Sequence, residues 1–243
     1  MPKQFEFVPE GQYRPVMSAV CSAVEEVKKI IWEEKGISFD WGFVGSANRQ
    51  GMALITGEVG GNRGYDFDVN FFLNHPADRF WRADYCRNIF LQALDRVFHD
   101  IGYQHPEDRT SVIRVKFLDK RNRTIEHSCD FAIFQDIENR NGDVELKYAR
   151  KADDGSYSWS SRGGSNKLAQ AKLSWLMDEV PEMLDDEGLQ ILSRQQVVSL
   201  LKEEYLIVKN ANRDGEKCSF QLFNEAVANV YNNLSQFVNR YDG

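Results

Sequence analysis

The chain has 243 residues, 42% of them hydrophobic, and a formal net charge of -7. That length accommodates one large domain or two modest ones, and the negative charge weighs against coating long nucleic acid through phosphate contacts. No apolar run approaches the about 20 residues of a membrane-spanning helix, and the opening Met1-Pro2-Lys3-Gln4-Phe5-Glu6-Phe7 lacks the apolar segment of a signal peptide, so a cytoplasmic protein with no membrane partner is expected.

In chain order, Val16, Val20, Val24, Val27 and Ile31 recur at three- and four-residue steps and predict a helix over 12–35, stopped by Gly36. The alternating run 37–44 predicts a strand that delivers Gly45-Ser46 at its end. A glycine-rich loop is expected over 57–64, which lacks the Lys-Ser/Thr ending of a P-loop. A second strand follows over 65–73, with Asp66, Asp68 and Asn70 on one face and Phe67, Val69 and Phe71 on the other.

A helix is predicted over 78–100, with Phe90, Leu91, Leu94, Val97 and Phe98 as its buried stripe. Two strands come next, 111–118 and 125–134, the second carrying Asp130, and 143–149 adds an edge strand. The Ser/Gly-rich stretch 156–165 reads as a domain boundary. Beyond it the chain reads as helical: 166–180 ended by Pro181, then 194–209, then a last helix from Phe223 to Val238. The expected fold class is α+β, a mixed sheet with flanking helices followed by a C-terminal helical bundle, divided as 1–160 and 161–243.

Cys21, Cys86, Cys129 and Cys218 are far apart, with no C-x-x-C pair, which fits scattered reduced thiols. The four histidines show no metal spacing, so no structural zinc is expected. His127, three residues before Asp130, projects to the opposite face of an ideal strand and reads as a core or surface residue. The charge is uneven: 114–172 holds 12 Lys/Arg against 9 Asp/Glu, a net of +3, whereas 173–243 holds 6 against 12, a net of -6. The basic window could face a triphosphate, or be an ordinary solvated surface.

The chemistry is concentrated in Gly45-Ser46, Asp66-x-Asp68 and Asp130. A Gly-Ser turn offers N–H groups and a hydroxyl to an anion. Asp66 and Asp68 aim two carboxylates to one side of a strand, and Asp130 on a neighbouring strand would complete an oxygen-only clamp for two Mg2+ ions. Asp130 would also serve as general base toward an incoming hydroxyl.

Gly45-Ser46, Asp66-x-Asp68 and Asp130 within Cys-Asp-Phe-Ala-Ile-Phe together resemble the nucleotidyltransferase superfamily that includes DNA polymerase beta. The long leading helix and helical C-terminal part are most similar to the template-independent branch, which holds poly(A) polymerase, oligoadenylate synthase, cyclic GMP-AMP synthase and bacterial relatives. The resemblance implies a catalytic part over about 1–160, a helical part after it, a nucleotide between them, Mg2+, an NTP and pyrophosphate as leaving group. It implies a triphosphate-contacting lysine, for which Lys167 and Lys172 are the candidates, and a base-stacking aromatic, for which Tyr157 and Trp159 are candidates alongside a packing role. Two departures stand out: the twenty-residue step from Ser46 to Asp66 is longer than the family's usual spacing, and Tyr65 replaces a small polar residue.

Three functions compete. One is a nucleotidyltransferase acting on a small-molecule, nucleotide or protein hydroxyl, with long nucleic acid disfavoured by charge. A second is a catalytically weak nucleotide- or partner-binding module, and a third is a metal-dependent phosphoesterase.

Overall fold

The computed structural model describes residues 4–48, 52–60, 64–74, 80–119, 121, 123–138, 141–161, 167–184, 188, 190–212 and 217–235. The chain divides into two units, Val8–Gly163 and Met1–Phe7 with Gly164–Gly243. Among the described residues no helix is long and apolar enough to cross a membrane.

The larger unit opens with helix α1 (Glu10–Lys35), which ends where Gly36 turns left-handed and its N–H reaches Trp32 O at 2.9 Å. Strands β2 (Ser38–Val44), β3 (Thr56–Glu58) and β4 (Tyr65–Asn74) follow, then helix α2 (Ala83–Asp100). Strands β5 (Glu107–Asp108), β6 (Ile113–Asp119), β7 (Thr124–Glu138), β8 (Val144–Lys151) and β9 (Tyr157–Ser161) complete it. Among the described residues, seven strands form one sheet in the order β2-β4-β7-β6-β5, with β8 on β7 and β9 on β8. Among the described residues of this sheet, the central β4–β7 pair is the parallel one; its strands are joined through α2 and the β5–β6 segment.

The alternation predicted for β4 holds. Phe67, Val69 and Phe71 are buried in the core with Val20, Val24, Val27 and Ile31 of α1 and Phe90, Leu94 and Phe98 of α2. Phe71 stacks on Phe90 and Phe131 at centroid distances of 5.0 and 5.2 Å. Because both helices cover this face of the sheet, Asp66 and Asp68, one residue out of phase, are left on the other.

A buried ion pair joins α2 to the strands. Arg87 is 1% exposed and holds Asp108 through Nε at 3.0 Å and through Nη2. It also donates to the carbonyls of Arg109 at 2.6 Å and Val112 at 3.1 Å. Asp108 accepts from Tyr157 Oη at 2.6 Å and pairs with Lys151 at 3.0 Å. Burial alone would raise the Asp108 pKa, but the bonds from Tyr157, Arg87 and Lys151 outweigh it and hold the carboxyl below its usual range.

His127 lies in the core as expected, 3% exposed, with Nε2 2.8 Å from Tyr103 Oη and its ring stacked on Phe117 and Tyr65. Burial pushes its pKa down to about 4. A histidine neutral in the fold but protonated when unfolded contributes stability above about pH 6.5 that is lost as pH falls through 6.5 toward 4. From pH 7 to pH 4 the loss at this residue is about 3 kcal/mol. Urea unfolding of wild type and His127→Gln across that window is expected to show a flatter pH dependence in the variant.

The smaller unit contains strand β1 (Phe5–Phe7) and helices α3 (Lys167–Ser174), α4 (Arg194–Ala211) and α5 (Ser219–Asn232). Asn210 of α4 ties β1 down by accepting from Phe5 N at 2.6 Å and donating to Phe5 O at 3.1 Å. Ser193 and Gln196 form a capping box at the start of α4. Tyr205, Val197 and Leu201 of α4 and Phe223, Ala226, Val227 and Val230 of α5 are buried.

The structure adds β1, β3, β5 and β9 to the predicted elements, and β3 takes up the start of the stretch expected as a glycine-rich loop. β9 lies inside the stretch read as a boundary: its Ser-rich composition hides a strand held by backbone pairing to β8. The helix predicted from residue 78 starts at Ala83, and 75–79 lie outside the described residues. The helix predicted over 166–180 widens into a π turn at Trp175–Glu179, and Pro181 lies in the 3-10 turn after it. The last helix ends at Asn232, and 236–243 lie outside the described residues, as do 61–63 of the glycine-rich loop.

Candidate active site

Three carboxylates meet at the parallel centre of the sheet. The β4–β7 register sets Asp68 opposite Asp130 and Asp66 opposite Ser128. Ser128 Oγ donates to Asp66 Oδ1 and fixes that side chain. The pairing of β2 with β4 sets Val44 opposite Asp68, so the turn that follows arrives beside the carboxylates. Gly45 has φ +62°, and a Cβ there would overlap the Asp68 carboxylate, 3.0 Å from its Cγ. Glycine is required twice over, for the left-handed backbone and for the space. Ser46 O accepts from Leu54 N at 2.6 Å and closes the turn.

The shared field of the carboxylates is visible at Cys129, which is fully buried on the other face. Burial raises its pKa well above the ordinary thiol value, and Asp130, Asp66 and Asp68 all add to the rise. Cys129 is therefore an inert core thiol.

Arg114 was not singled out in the sequence. It lies opposite Asp130 on β6 and grips it with two bonds of 2.6 Å, Nε to Oδ1 and Nη2 to Oδ2. Its pKa is raised, first by the bond to Asp130 and also by the charge of Asp66. The alternation Ile113-Arg114-Val115-Lys116 puts Arg114 on the polar face of its strand, but only strand pairing reveals that this face meets Asp130. Asp130 is 12% exposed at its side chain, whereas Asp66 is exposed. Tyr65, the departure from the family pattern, is buried on the opposite face and leaves the carboxylate face unchanged.

Lys167 and Lys172 belong to α3 in the other unit, and the carboxylate cluster is built without them. Lys172 is engaged locally, 3.3 Å from Asn232 Oδ1 and 4.8 Å above the Tyr231 ring. Tyr157 and Trp159 take the packing role: Tyr157 donates to Asp108, and Trp159 Nε1 donates to Trp81 O at 2.8 Å. A cavity of about 770 Å³ opens between α1 and α2, lined in part by Val16, Ala23, Tyr103, Phe117 and His127. It belongs to the helix-covered side, and the three carboxylates do not line it.

No protein-family model matches the sequence, and no curated protein matches it. Solved structures do match. The CD-NTase CdnG of Bradyrhizobium diazoefficiens, solved in complex with GTP, aligns at 13% identity and TM-score 0.53 over 91% of this chain and 66% of that one. The 3'-deoxy GTP bound form of Vibrio cholerae DncV aligns at 11% identity and TM-score 0.53 over 93% of this chain and 67% of that one. The chain has the nucleotidyltransferase fold. Within that fold it spans about two thirds of the length of each of these two structures.

Gly45→Ala is expected to destabilise the protein by about 1–2 kcal/mol, the cost of a left-handed non-glycine residue. Thermal unfolding of the variant against wild type checks this.

Proposed function

We propose that the protein is a Mg2+-dependent nucleotidyltransferase that moves a nucleotide from an NTP to a hydroxyl acceptor and releases pyrophosphate. The observation that carries this reading is Asp68 placed directly opposite Asp130 on parallel strands, with Asp66 two residues back on the same face. The fold shared with two nucleotide-bound structures supports it. The donor set is all oxygen, as Mg2+ prefers. Asp66 and Asp68 would hold the ions, with Asp130 joining once Arg114 releases one of its oxygens. Bound there, two Mg2+ ions would neutralise charge on the attacking and leaving oxygens.

The chain's own residues do the rest. Gly45 and Ser46 present N–H groups and a hydroxyl to the phosphates. The acceptor oxygen forms a bond to the α-phosphorus, the bond to the bridging oxygen breaks with departure of pyrophosphate, and Asp130 takes the hydroxyl proton. Arg114 stays beside Asp130 and offsets part of the negative charge that Asp130 and Asp66 bring together.

Incubation with each labelled NTP and Mg2+, read by pyrophosphate release and product chromatography, tests this. Metal-dependent release with a new phosphodiester product is expected; no release with any NTP across a broad acceptor panel overturns it. The contacts expected of Lys167 and Lys172 are tested separately, as a raised KM for the NTP in Lys167→Ala and Lys172→Ala.

The two-pronged grip of Arg114 on Asp130 favours a second reading, a nucleotide-binding module with little turnover. Mg2+-dependent binding of a non-hydrolysable NTP, with no product from either wild type or Arg114→Met, would select it.

A further inference from the structure

A second group of ligating side chains meets at the far end of α2. Asp95 and His99 are four residues apart and share one face of its last turns. His105 joins them from the strap that follows. One ligand atom from each of the three lies within 4.8 Å of the others. His105 Nδ1 is 2.7 Å from Asp95 Oδ1, and the two imidazole rings stack at 4.4 Å.

The strap is held in place. Gly102 N–H reaches His99 O at 3.0 Å, Tyr103 N–H reaches Phe98 O at 3.0 Å, and Gln104 N–H reaches Lys116 O at 2.9 Å. The Tyr103 ring is buried against Phe98 and Phe117. The backbone of His105 is thus anchored two residues beyond a core side chain, while its own side chain is 74% exposed and has room to turn.

We propose that Asp95, His99 and His105 form a binding site for a transition-metal cation of the Zn2+ class. Two imidazole nitrogens and one carboxylate oxygen are the donors of a three-ligand zinc site with a fourth position for water. Mg2+, which seeks oxygen alone, is excluded by the same set. In a tetrahedral site, ligand atoms about 2.0–2.2 Å from the ion lie about 3.4 Å apart, so the exposed rings must rotate out of their stack to close separations that now extend to within 4.8 Å. The spacing of the histidines hid the site, because His105 reaches it across a turn rather than along the helix. A bound ion would staple the last turns of α2 to the strap leading into β5. The site is independent of the proposed transferase chemistry: α2 covers the face of the sheet opposite Asp66 and Asp68.

The test uses the full chain carrying Asp66→Asn and Asp68→Asn, in excess Mg2+, so that the other carboxylates contribute nothing. Calorimetric titration with Zn2+ and visible spectroscopy with Co2+ are the readouts, with unfolding temperature as a third. Saturable one-to-one binding, visible Co2+ bands of low coordination number and a Zn2+-dependent rise in Tm are expected. Adding His99→Ala or His105→Ala should weaken binding at least about tenfold and remove the Tm rise, with the metal-free Tm unchanged. The proposal is overturned by the absence of saturable Zn2+ binding, or by binding that neither substitution alters.

Discussion

Asp66→Asn is expected to lower nucleotide turnover by about 1000-fold, equivalent to about 4 kcal/mol of lost transition-state stabilisation. The amide keeps the shape of the carboxylate and an oxygen for Ser128 Oγ, which donates to Asp66 Oδ1. What it removes is one negative charge from the pair that would hold the ions. Asp66 is exposed, so folding stability should change by no more than about 0.5 kcal/mol. Loss of pyrophosphate release at unchanged Tm is therefore the signature. Equal release from both proteins would remove Asp66 from the site and, with it, the reading of Asp-x-Asp as a metal pair.

The second large effect is on stability. Arg87→Met is expected to cost about 3–5 kcal/mol, the penalty for breaking a buried pair from one side. Arg87 is 1% exposed, and its loss leaves Asp108 to Lys151 and Tyr157 alone and takes the Arg87 donor from the carbonyl of Arg109, while that of Val112 keeps its bond from Arg109 N. At about 2–4 °C per kcal/mol for a chain of this size, Tm should fall by about 10 °C. Asp108→Asn in the same background should restore part of it, because the charge left unbalanced is then gone. A double-mutant cycle by urea unfolding measures the coupling, and additive losses would show that the two residues act separately.

Much of this was legible in the sequence, for a physical reason that differs by element. The period-two alternation of 65–73 decides which side chains leave the sheet together, and Asp66, Asp68 and Phe67 lie where that alternation puts them. The 3.6-residue stripe of 12–35 likewise predicts the buried face of α1. Strands with little local signal were lost. β1, β3 and β5 are three, three and two residues long, and β9 is Ser-rich, so each depends on a partner strand rather than on its own composition.

The candidate site divides in the same way. Asp66, Asp68, Asp130 and the Gly45-Ser46 turn are residue types whose chemistry is written in the chain itself. Arg114, Ser128 and the room that Gly45 leaves for Asp68 are not, because each is a fact of register: β6 beside β7, β7 beside β4, β2 beside β4. The sequence by itself determined the donor groups, their alternation and the two faces of the sheet. Only the tertiary structure decided which strands are neighbours, and so that Asp130 faces Asp68 on one side and is gripped by Arg114 on the other. Pairing between strands distant in sequence is selected by the whole packed sheet, and no local run of residues encodes it.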